Sequence, residues 1–179
     1  MTTDEVEFGR RPSELRRAFD QSFADPPQAE STPFENMLAI RVASEPYAIR
    51  LSEVSGLFVD KAVTKLPTSL PQLLGIAGFR GIMVPVYDLR AILGYSTGDA
   101  PRWLVIAAKT AVGLAFDGFD SHFRIPQTAI APAERAEHSG QHVSEVLRGE
   151  KQAWPIVDMT SVLEAITTRA HQSVPEQEK

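Results

Sequence analysis

The chain repeats itself, and repetition limits what it can fold into. Pro85, Val86, Tyr87, Asp88, Leu89, Ile92 and Leu93 recur as Pro155, Ile156, Val157, Asp158, Met159, Val162 and Leu163, seventy positions further on. A fainter echo relates 38–51 (LAIRVASEPYAIRL) to 104–117 (LVIAAKTAVGLAFD), each a strand, a polar break and a second strand, sixty-six positions apart. Two copies are too few for a solenoid, whose units bury their apolar faces by stacking in series. The repeat therefore predicts two small β-barrels packed side by side, each closed by a Pro-x-x-Asp strand and its helix.

The most informative stretch is GIAGFRGIMVPVYDLRAIL, residues 75–93. Gly75, Gly78 and Gly81 flank Phe79 and Arg80, which predicts a turn where the backbone takes positive φ or another segment comes close. Residues 82–87 are apolar almost without a break and rich in β-branched side chains, the pattern of a strand buried on both faces. Asp88 stands where an N-cap belongs, Leu89, Ile92 and Leu93 share a helical face, and Gly94 marks the stop.

These residues resemble the signature of the CheW-type adaptor domain of bacterial chemosensory arrays, approximately G-V-x-N-L-R-G-x-I-V-P-x-x-D-L. Gly75, Ile76, Arg80, Gly81, Val84, Pro85, Asp88 and Leu89 match it. Tyr47, Ala48, Ile49 and Val54 are similar to the family's Y-x-I…V strand pair, and Val112, Gly113, Asp117, Gly118 and Asp120 to its V-G-x-x-V-D-x-V-x-D segment. The resemblance runs from about Met37 to Ala170. It implies an all-β fold of two SH3-like five-stranded barrels with short peripheral helices, and a non-enzymatic adaptor that couples chemoreceptors to a histidine autokinase. The implied partners are the kinase regulatory domain and the cytoplasmic helical tip of a methyl-accepting receptor. Gly78 and Phe79 replace the family's Asn and Leu, Gly56 and Phe58 stand where an acidic residue and then Arg are usual, and Glu145 takes a place often held by glycine. Those departures leave room for a divergent regulator with a different protein partner.

Composition narrows the function classes independently. A net charge of −5, with 8% aromatic residues, lacks the basic face that nucleic acid or an anionic membrane would require. Cysteine is absent, which removes disulfides, thiolate metal sites and a nucleophilic thiol. The first residues carry no apolar signal region and no run reaches membrane-spanning length, so a cytoplasmic location is expected. Residues 1–36 read as an N-terminal extension with eight acidic residues against four arginines, holding a short amphipathic helix near 13–24 with Leu15, Phe19 and Phe23 on one face. Residues 37–170 form the folded domain, and 171–179 a polar tail.

Catalytic chemistry is sparse. His138 and His142 have a helical metal-ligand spacing, but Ser139 and Gly140 interrupt any helix and no third ligand is evident, so a surface loop is expected rather than a metal site. The glycines lack the βα context and lysine of a phosphate cradle, and Asp88 and Asp158 are sufficiently explained as N-caps. No catalytic residue, cofactor or metal is expected. The candidate protein-binding residues are Arg80, Phe79, Val54, Phe58 and Val59, with Arg80 foremost because a guanidinium in a turn can fork onto a carboxylate or helix carbonyls.

Overall fold

A computed structural model describes residues 33–96, 98–133, 141–149 and 153–172. The expected helix near 13–24, His138 and most of the C-terminal tail lie outside these residues. Eleven strands follow in order: β1 (Phe34–Val42), β2 (Glu45–Arg50), β3 (Val54–Val59), β4 (Leu73–Phe79), β5 (Ile82–Asp88), β6 (Trp103–Ala107), β7 (Gly113–Phe116), β8 (Gly118–Pro126), β9 (Ile130–Pro132), β10 (Val143–Arg148) and β11 (Ala153–Val157). Among the described residues two α-helices accompany them, α1 (Leu89–Ile92) after β5 and α2 (Met159–Gln172) after β11. The fold is mostly β, as expected.

The strands form two sheets, ordered β8-β1-β2-β11-β10-β9 and β3-β6-β7-β5-β4. Position by position, β8, β1, β2, β11 and β10 of the first match β3, β6, β7, β5 and β4 of the second. The repeat is therefore real, but its copies exchange their first hairpins. β1 and β2 of the first copy join the closing strand of the second, with Ile156 beside Ala48 in parallel; β6 and β7 of the second copy join β5, with Val86 beside Gly113. This corrects the expectation of two self-contained copies. The extra strand β9 also has a counterpart, since Thr64 makes two backbone hydrogen bonds to Ile76 of β4 (2.8 and 2.9 Å) where β9 pairs with β10.

Local signals account for the matched ends. The carboxylates of Asp88 and Asp158 accept from the backbone N–H of Arg90 (2.9 Å) and Ser161 (3.0 Å), so both are N-caps. Each capping residue also donates its own N–H across the bulge of its sheet, Asp88 to Gln72 and Asp158 to His142, both at 2.8 Å. Register shifts fall at 73–75 in β4 and 143–145 in β10, seventy residues apart. Gly75 adopts φ +144°, and a Cβ there would run into the carbonyl of Thr64. Only glycine fits that crossing. Its counterpart Glu145, opposite Pro132 of β9, carries a side chain that bonds Arg50 at 2.5 Å.

Three apolar clusters share the interior. One lies between the sheets and takes Leu38, Ile40, Val42, Tyr47 and Ile49 from the first, Val105, Ala107, Leu114 and Phe116 from the second, and Met159, Val162 and Ile166 from α2. The alternate residues of the same strands turn the other way: Met37, Ala48, Leu147 and Ile156 pack within the first sheet, and Val84, Val86, Leu104 and Ala115 within the second. A strand with a core on each face must be apolar at every position, which explains the unbroken hydrophobic runs in β6 and β7. Phe58 of β3 and Phe79 of β4, on the two outer strands of the second sheet, meet at a tilt of 56° with ring centroids 4.7 Å apart.

One charged junction ties the sheets together. Arg90 of α1 is only 8% exposed and pairs with Asp117, the residue that carries the chain from β7 in one sheet to β8 in the other. The same carboxylate accepts the N–H of Ala43, in the β1–β2 turn, at 2.6 Å. Asp117 thus serves as a crossing point between the sheets.

Candidate docking site at a hairpin tip

The glycine-rich stretch read as a turn is mostly strand, and the turn proper is two residues long. Arg80 (φ 47°) and Gly81 (φ 84°) both occupy the left-handed region, the geometry of the tight connections whose twist suits a hairpin. An arginine held there bears a local backbone cost of about 1–2 kcal/mol. Its side chain is exposed at the extremity of β4 and β5, and among the described residues no carboxylate pairs with it. Ile82 and Met83, expected to be buried, are 55% and 60% exposed. The tip therefore presents a cation beside two large apolar side chains.

The other candidates divide between surface and interior. Phe79 is 7% exposed, so it packs beneath the tip rather than offering a free contact face, and Lys61 lies over its ring at 4.9 Å. Phe58 is half-buried against Phe79, Val54 is half-buried against the core between the sheets, and Val59 is 47% exposed at the end of β3. Through the Phe58–Phe79 contact the structure brings the end of β3 to the base of the Arg80 hairpin; Val54, at the far end of β3, lies apart.

The departures at positions 56 and 58 have one physical cause. A Cβ on Gly56 would stand 2.7 Å from the Phe58 ring, which folds back over the strand. A larger residue at 56 would have to push the Phe58 ring aside. Ile82 and Met83 escaped sequence reasoning because an apolar run at an edge hairpin looks the same as a buried strand; their position next to a two-residue turn was the available clue.

Two titratable groups elsewhere are set by their immediate surroundings. His142 bonds Ser161 through Nδ1 at 2.7 Å, and burial, with Arg169 nearby, holds its imidazole below the usual value against the pull of Asp158. Burial pushes the Tyr47 phenol up, and its 2.7 Å hydrogen bond with Tyr95 adds to this. Among the described residues no group of three or more His, Asp or Glu side chains could hold a metal ion, and no helix is long and apolar enough to cross a membrane.

Fold and site together define a duplicated, hairpin-exchanged two-sheet β protein with an exposed cationic and apolar hairpin tip. The chain belongs to the CheW-like domain family, whose sequence profile matches residues 36–167. It is 26% identical over 155 residues to the "Chemotaxis protein CheW" of Bacillus subtilis, covering 83% of this chain and 98% of that one. A "Probable chemotaxis protein CheW" of Rhizobium etli is 26% identical over 100 residues, covering 54% of this chain and 64% of its own. The crystal structure of a scaffolding protein CheW from Thermoanaerobacter tengcongensis superposes with a TM-score of 0.62 at 20% identity, covering 69% of this chain and 88% of that chain.

Proposed function

We propose that the protein is a non-enzymatic adaptor of a bacterial chemosensory pathway, docking the cytoplasmic tip of a chemoreceptor and the regulatory domain of a histidine autokinase. Family membership, with relatives named as chemotaxis proteins, sets the pathway class. The observation that carries the docking role is the hairpin tip: Arg80 exposed beside Ile82 and Met83 on a turn whose two residues are fixed in left-handed geometry. A preorganised turn lowers the entropy cost of binding, and an arginine next to apolar area is the composition of an interface hot spot. Each sheet, with its outer strands approaching as Phe58 and Phe79 do, would curl into a barrel, leaving strand edges for β-type docking of kinase domains.

A second reading is favoured by one specific feature. The Phe58 ring lying over Gly56 gives β3 an apolar edge where the family usually carries charge. On that reading the tip still binds a receptor helix, while the β3 edge selects a divergent partner in place of the kinase.

The immobilised full chain, offered a coiled-coil receptor fragment and a kinase regulatory domain, is expected to retain both and to support a ternary complex. Retention of the receptor fragment alone would favour the divergent regulator. If it retains neither, the adaptor proposal fails.

A further inference from the structure

The exchanged repeat gives the molecule two equivalent junctions, and only one is filled. At the first, the second residue of α1, Arg90, reaches across to Asp117 in the segment after β7, and the turn of the β1–β2 hairpin completes the contact through Ala43. The equivalent place at the second junction is the second residue of α2, Thr160, facing the segment after β2 (Leu51–Glu53) and the β6–β7 loop that carries Lys109. Threonine is too short to cross. What remains is a notch of about 20 Å³ lined by Glu53, Lys109, Thr160 and Leu163 among others, and the last three also line an adjoining groove of about 380 Å³ with Glu164 and Thr167.

Glu53 lies two residues beyond Leu51, the position that the repeat sets against Asp117, and its carboxylate has no arginine like Arg90. Its Oε2 is buried and, among the described residues, accepts no hydrogen bond. Burial pushes its carboxyl above the usual range, and Arg50, the nearest source of relief, is already bound to Glu145 at 2.5 Å and Glu35 at 3.4 Å. Asp158 and Glu35 add negative charge around it, Glu164 stands on the groove wall, and Lys109 alone on that wall opposes them. A buried acceptor left without a donor is costly, and a charged one more so, so a donor supplied from outside meets a favourable site.

We propose that the notch, with the groove it adjoins, docks an arginine side chain of a partner protein, whose guanidinium stands opposite Glu53 as Arg90 stands opposite Asp117. The planar fork suits a half-sunken carboxylate approached from a groove, and its weak hydration makes the transfer cheaper than for an ammonium. The threonines of α2 along the groove offer polar edges without competing charge. This site is separate from the Arg80 tip, and its test does not depend on the adaptor reading.

The test is an amide NMR titration of the full isotope-labelled chain with a blocked alanine-based peptide carrying a single arginine, against the same peptide carrying citrulline, the uncharged isostere. Saturable shifts at Glu53, Lys109, Thr160 and Leu163 are expected with the arginine peptide and at least about tenfold weaker binding with citrulline. Glu53→Gln should lose the binding while keeping the melting temperature, because an amide at that position removes the charge and keeps the shape. Thr160→Arg should rebuild the missing contact from within, raising the melting temperature and abolishing the peptide shifts. Shifts that are equal for both peptides, or that persist in Glu53→Gln and in Thr160→Arg, would overturn the proposal. Should Glu53→Gln fail to fold, Thr160→Arg decides alone: unchanged melting with persistent shifts overturns it.

Discussion

The two sheets share one plan and differ at the points where the chain must cross something. At the bulge before the closing strand, the second sheet has Gly75 under the Thr64 carbonyl and the first has Glu145 bonded to Arg50. At the helix that follows, the second sheet has the four-residue α1 anchored by buried Arg90, and the first has the fourteen-residue α2 lying on the shared core through Met159, Val162 and Ile166. Both helices bury apolar side chains in the shared core, Leu89 and Ile92 from α1 beside those of α2, and the shorter helix adds the nearly buried bond of Arg90 to Asp117. Duplication supplied the geometry, and each half secured it with different chemistry.

That difference can be broken experimentally, and the charged junction should give the largest effect. Arg90→Ala leaves the Asp117 carboxylate without its cation in a nearly buried setting, where loss of one partner costs about 3–5 kcal/mol; partial exposure of Asp117 places the expectation near the lower end. Thr160→Ala, its counterpart in the first sheet, should cost less than about 0.5 kcal/mol because Thr160 is exposed. Paired denaturant titrations would measure both. Similar losses would mean that the two junctions are not differently secured.

The bulge comes next. Gly75→Ala must strain the backbone at φ +144° and displace the Thr64 crossing, for an expected loss of about 2–3 kcal/mol. Glu145→Ala removes a partly exposed ion pair and should cost below about 1 kcal/mol. A smaller loss at Gly75 than at Glu145 would reverse the comparison. The caps sharpen it further, since here the halves are alike: Asp88→Ala and Asp158→Ala should each cost about 1 kcal/mol by thermal unfolding.

What could be read from the sequence tracks what is local. The caps at Asp88 and Asp158, the stop at Gly94 and the strand pairs rest on a few neighbouring residues, and all have the expected form. The exchange of hairpins rests on no local signal, because β1–β2 and β6–β7 carry the same alternation and either could pair with either closing strand; chain reach and the shared core decide. At the tip, Arg80 was legible through its glycine neighbour and the motif, whereas the burial of Phe79 was not, because it depends on Phe58, twenty-one residues earlier. Glu53 was not singled out at all, since an orphaned carboxylate is visible only once the element lacking its arginine is seen beside the one that has it.

Arg80 should have the smallest effect on stability and the largest on binding, which makes it the most direct test of the adaptor account. Thermal unfolding of wild type and Arg80→Glu is to be measured beside capture of a coiled-coil receptor fragment and of a kinase regulatory domain. Because Arg80 is exposed and unpaired among the described residues, the melting curves should agree within about ±0.5 kcal/mol. Charge reversal at a desolvated contact should cost about 2–5 kcal/mol of binding, enough to abolish a micromolar association with the receptor fragment while kinase capture is less affected. A variant that melts far below wild type, or one that melts alike and captures the receptor fragment as well as wild type does, would contradict the account.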